Sequence, residues 1–151
     1  AEIRSKVETM QAAMWTANTN IAQGIDEGVD VLLNSPNSRR YSAKIMLLLT
    51  DGQPNQTRAN PTQYASEYSI PNPAAEDALV AAQEAHDLHG VRIYTISVGG
   101  NSNLALMDAI ASVGAGEHFH AEGSVSEYTQ QLRNIFQRLG GKRPVELVAT
   151  R

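Results

Sequence analysis

Lys44-Ile45-Met46-Leu47-Leu48-Leu49-Thr50-Asp51-Gly52 is a short apolar run that stops abruptly at Thr-Asp-Gly. The run is too short for a membrane helix, and its bounds read as a fully buried parallel strand. The break places the Asp51 carboxylate at the strand's C-terminal end, where open α/β sheets bind their ligands. A lone carboxylate followed by a long polar loop points to an oxygen-ligand metal or adhesion site rather than to acid–base chemistry.

Working outward towards the N-terminus, Val7, Met10, Ala13 and Met14 recur at helical spacing, so Ser5 to Trp15 reads as a helix. Thr16 to Asn20 interrupts it. Thr19 or Asn20 is an N-cap for the next helix, whose apolar face is Ile21, Ile25, Val29, Leu32 and Leu33. Asn34 to Ser38 turns the chain into the strand.

On the other side, Gly52 to Pro73 is polar, proline-containing and without period, a loop long enough to be functional. Tyr64, Tyr68 and Ile70 within it read as anchors or as ligand contacts. Ala74 to His89 is an alanine-rich helix stopped by Gly90. Val91 to Gly99 is a second strand, Leu104 to Val113 a helix, and His118 to Ala121 a short third strand. Ser124 to Leu139 is the last helix, with Ser124 and Glu127 at capping-box spacing. Alternating strands and helices predict a doubly wound α/β fold, a parallel sheet in a three-layer α/β/α arrangement. Residues 1–140 form one domain, and 141–151, with Val145 to Val148, a linker or an added edge strand.

The 151 residues suffice for one domain with a real core. A net charge of −4 and the lack of a basic patch beyond Arg39-Arg40 and Lys142-Arg143 speak against nucleic acid. The absence of cysteine removes disulfide and thiol chemistry and leaves the compartment open. No apolar run has transmembrane length, so direct membrane insertion is not expected. The start at Ala1-Glu2-Ile3, without Met, suggests an excised or processed piece.

Three stretches in order resemble the von Willebrand factor type A family. Thr19-Asn20-Ile21-Ala22-Gln23-Gly24-Ile25 is similar to that family's threonine loop, and Ile45 to Gln53 to its strand ending in Thr-Asp-Gly. Val91 to Gly99, Leu104 to Ala111 and Gly116 to Ala121 are similar to its fifth strand, fifth helix and last strand. The resemblance implies a metal-ion-dependent adhesion site, in which a divalent cation bridges the domain to a carboxylate of a protein ligand. Carried over by position, Thr19 is the threonine and Asp51 the distal aspartate. Asn18, Asn20, Gly52, Gln53 and Asn55 belong to the ligand-binding loops. The family's Asp-x-Ser-x-Ser element occurs nowhere in these residues. By the resemblance, the chain begins after the family's first three strands, and Mg²⁺ or Mn²⁺, expected in an intact domain, is absent or weak here. An edge strand left bare by that loss implies pairing with a second copy of the chain or with a cleaved N-terminal piece left in place.

Each residue also has a plainer reading. Asp51 can be a turn residue bonding its own backbone, and Thr19 a helix cap. His118 and His120, two apart on one strand face, suit Zn²⁺ or Cu²⁺ in spacing but lack a third ligand nearby in sequence. His86 and His89 suit a helix C-terminus, and Glu76-Asp77 an N-terminus. No nucleophile elbow or phosphate loop is present. The expected function is a non-catalytic protein-binding module on a surface, pilus-associated (Tad-type) or secreted bacterial protein. A chaperone- or chelatase-associated A domain inside the cell, and a flavodoxin-like small-molecule enzyme, are the alternatives.

Overall fold

A computed structural model describes residues 18–51, 53–59, 72–100 and 102–141. The expected Ser5–Trp15 helix, Gly52, most of the following loop with Tyr64, Tyr68 and Ile70, and the tail from 142 lie outside the described residues. In chain order the elements are α1 (Ile21–Asn34), β1 (Lys44–Thr50), α2 (Pro73–His89), β2 (Val91–Val98), α3 (Leu104–Val113), β3 (His118–Ala121) and α4 (Val125–Gly141).

The three strands lie in the order β1-β2-β3, and both pairings are parallel. Lys44 pairs with Val91 and Thr50 with Ser97; Thr95 pairs with His118 and Val98 with Ala121. Residues of one parity face α1, α2 and α3. Met46, Val91 and Ile93 pack there against Ile21, Ile25, Ala78, Ala82, Leu106, Met107 and Ile110. Residues of the other parity face α4, where Tyr94, Ile96 and Phe119 meet Ile135. Ile25, Ile93, Ile96, Met107 and Ile110 are among the largest fully buried side chains, each contributing about 1.5–3 kcal/mol by leaving water. Helices therefore lie on both sides of the sheet, as strand–helix alternation predicts.

Local chemistry sets the element ends. Asn72 accepts from the Ala74 and Ala75 N–H groups at 3.0 and 3.3 Å, with Pro73 opening α2. The buried face of α2 is alanine only: Ala74, Ala78, Ala81, Ala82 and Ala85. Gly90 ends the helix in the left-handed region at φ 63°. After α3, Gly116 lies so close to β2 that an added Cβ would stand 1.8 Å from the Ile93 carbonyl oxygen. Within the core, the buried Thr95 hydroxyl donates to the Met107 carbonyl at 2.9 Å, which satisfies it.

The cover is incomplete at β1. Ile45, Leu47 and Leu49 all point to the α4 side and remain 44%, 37% and 59% exposed. The expectation of a strand buried on both faces therefore holds only for the side under α1. Among the described residues, α4 reaches β2 and β3 and stops short of covering β1.

Candidate functional site

The C-terminal ends of β1 and β2 form a rim. Asp51 follows Thr50 directly and is exposed. Behind it, the Ser102 hydroxyl, itself 8% exposed, donates to the carbonyls of Val98 at 3.0 Å and Thr50 at 3.4 Å, tying the two strand ends together. Asn103 then caps α3 by accepting from the Leu106 N–H at 3.1 Å. Sequence reasoning passed over Ser102; a Ser-Asn pair just before a helix was the available signal.

The loop before α1 is laced to the segment after Asp51. The Thr19 N–H donates to Asn55 Oδ1 at 2.7 Å, and the Asn55 and Gln56 N–H groups donate to the Thr19 carbonyl at 2.9 and 3.3 Å. Asn20 Nδ2 donates to the Thr57 carbonyl at 3.1 Å, while Asn20 Oδ1 accepts from Gln23 N–H at 3.0 Å and so caps α1. Asn18, Thr19, Asn20, Gln53 and Asn55 are all half-buried, and Pro54 and Gln56 are buried. The structure thus brings Thr19, Asn20 and Asn55 together, four residues along the chain from Asp51. It gives the cap to Asn20 rather than Thr19.

Arg58 fixes the far end of this segment. Its guanidinium grips Asp26 of α1 through two nitrogens and reaches Glu84 of α2 at 2.9 Å, while its N–H donates to Asp77. The Asp26 hydrogen bonds, opposed by desolvation and helped by Glu84, raise its pKa further above the ordinary arginine value. One side chain so clamps the loop to two helices. The 53–59 part of the long polar loop is bound into the domain.

A hard divalent cation wants about six oxygens in near-octahedral order. The donor type here suits it, but the number does not. Asp51 offers one carboxylate and Thr19 one hydroxyl. The amide oxygens of Asn20 and Asn55 are already engaged by backbone N–H groups. Among the described residues no three His, Asp or Glu side chains are placed to hold a metal. These residues do not make a closed Mg²⁺ or Mn²⁺ site. His118 and His120 do converge, but the group between them is the Ser97 hydroxyl. Among the described residues no helix is long and apolar enough to cross a membrane.

The sequence profile of the von Willebrand factor type A domain matches residues 1–138. No curated protein matches the chain.

Proposed function

The chain belongs to the von Willebrand factor type A family, and from that premise we propose that it is a non-catalytic adhesion module whose protein ligand docks on the Asp51 rim. Domains of this family are generally protein-binding modules and usually non-catalytic. The observation that carries the proposal is the rim itself: an exposed carboxylate at a strand end, beside a loop pair held by the Thr19–Asn55 bonds and the Arg58 clamp. Recognition loops braced on a rigid sheet need little ordering when they bind. A cell-surface or pilus-associated setting belongs to this proposal, as does a weak hold on Mg²⁺, since two oxygen donors leave most of the coordination shell to water. The outer edge of β1, bare on its α4-side face, is proposed to take a second copy of the chain.

The test uses peptides selected from a random display library on the immobilised chain, titrated with and without millimolar Mg²⁺. Asp51→Ala is expected to weaken them at least tenfold, about 1.4 kcal/mol, while Leu88→Ala, exposed at the end of α2 just before β2 begins and so at the opposite end of the sheet, leaves affinity unchanged. Peptides that bind Asp51→Ala as well as the unaltered chain would overturn the docking site. Stoichiometric binding of a flavin at the rim would favour the flavodoxin-like alternative instead.

A further inference from the structure

Three polar side chains meet on the sheet face beneath α3. Ser97 is wholly buried on β2; the strand register sets His120 opposite it and His118 opposite Thr95. Ser97 Oγ lies 2.8 Å from His118 Nε2 and 2.8 Å from His120 Nδ1. The far nitrogen of His120, Nε2, reaches Glu122 Oε2 at 3.3 Å. A carboxylate only accepts, so Nε2 of neutral His120 carries the hydrogen and Nδ1 bears the lone pair. Ser97 then donates to Nδ1, and its oxygen accepts from His118 Nε2–H. The donors run one way: His118 to Ser97 to His120 to Glu122.

We propose that this relay is a one-proton lock on the β2–β3 seam, which accommodates a single imidazolium and loosens β3 when acid drives a second proton onto the pair. The first proton fits either way. On His118 Nδ1 it disturbs no bond of the relay. On His120 Nδ1 it turns the hydroxyl round to donate to a His118 that has shifted its hydrogen to Nδ1. The second proton leaves both rings donating to one oxygen, the buried hydroxyl hydrogen without an acceptor, and two like charges one hydroxyl apart.

The surroundings bias His118 towards its neutral form. Burial lowers the His118 pKa, Asp108 opposes that, and His120 adds to it. Asp108 is the single ionisable residue of α3. On the opposite sheet face Arg138 of α4 is taken up by Glu117 at 2.9 Å and stacks over Phe119. An unfolded chain protonates this histidine near the ordinary 6.5, so below that pH the unfolded state binds more protons and stability falls as pH drops.

The position gives the lock its leverage. Among the described residues β3 pairs on one side only and is four residues long. The Thr95 N–H to Glu117 carbonyl and Gly99 N–H to Ala121 carbonyl bonds, at 3.1 and 2.9 Å, flank the relay. Ser97 also pairs with Thr50, the residue before Asp51, so the lock sits directly behind the rim. Ser97 has no exposure, which removes a nucleophile's role.

Imidazole NMR titration of the 151-residue chain from about pH 8 to about 4.5 tests this directly. His118 should still be largely neutral at pH 6.5, and its titration should move up in His120→Gln, which removes a neighbouring charge. Amide exchange of Gly99 should accelerate in the same window. The folding constant should fall by up to about tenfold per pH unit for each extra proton bound by the unfolded state, with a flatter profile in His118→Gln and His120→Gln. A His118 that titrates at the ordinary 6.5 and does not move in His120→Gln would overturn the lock, as would an unchanged profile in both variants. The titration of the unaltered chain decides the matter even where a variant fails to fold.

Discussion

Asn20 closes the first turn of α1 with its own carboxamide and, through Nδ2, holds the Thr57 carbonyl. Thr19, its neighbour, reaches the 53–59 segment through main-chain atoms alone. Their truncations should therefore differ. Asn20→Ala is expected to cost about 1 kcal/mol from the lost cap, and somewhat more with the Thr57 contact. Thr19→Ala is expected to stay within about 0.5 kcal/mol. Urea unfolding of both variants checks this, and a costlier Thr19→Ala would contradict the cap assignment. The sequence permitted either residue as cap because both types accept from a helix N–H. Which one faces the turn depends on the loop pairing with Asn55, a contact 36 residues away. A sparing stability effect would leave the Thr19 side chain free for a role in the loop pair it forms with Asn55.

At the scale of elements, periodicity and punctuation placed every described helix and strand, because Gly90, Gly114 and the Thr-Asp-Gly break act locally. Contacts between elements were not legible in that way. Ser97 meets His118 and His120 only through the parallel register of β2 and β3. Arg58 meets Asp26 and Glu84 only once α1 and α2 lie side by side. The capping box of α4 was legible in part. Glu127 accepts from the Ser124 N–H at 2.6 Å and from the Ser124 hydroxyl at 2.7 Å. The hydroxyl donates to the carboxylate instead of accepting from the helix's first turn. These bonds, the backbone one foremost, hold the Glu127 carboxyl below its ordinary 4.5. A depressed carboxyl stabilises the fold above its unfolded pKa and loses that effect as pH falls through the folded one. The first turn of α4 is therefore expected to fray below about pH 4.5, seen as faster exchange of its amides. Glu127→Gln should remove that acid dependence, whereas matching acid profiles for both chains would discount the cap.

For the whole molecule, the unequal cover of the sheet has the largest consequence. Among the described residues, three helices shield one face, and α4 shields the other over β2 and β3 but not β1. Ile45, Leu47 and Leu49 are left open on β1, and among the described residues the strand's outer edge has no partner. Neither proline nor charge interrupts Ile45 to Leu49, so the run itself carries no residue that blunts an edge. A second copy turned by a two-fold axis would supply an antiparallel β1 with the same run, so that each half would complete the other. The paired strands would satisfy the edge and bring two exposed apolar rows side by side, at about 25 cal/mol for each Å² removed from water. The 151-residue chain is therefore expected to sediment as a dimer at high micromolar concentration. Leu47→Lys keeps the backbone edge but places a charge in the middle of the apolar row. It should shift the population to monomer without lowering the unfolding midpoint of that monomer, because Leu47 contributes little to the core. A single monomeric boundary for the unaltered chain, with β1 amides exchanging freely, would show that the edge stays bare in solution.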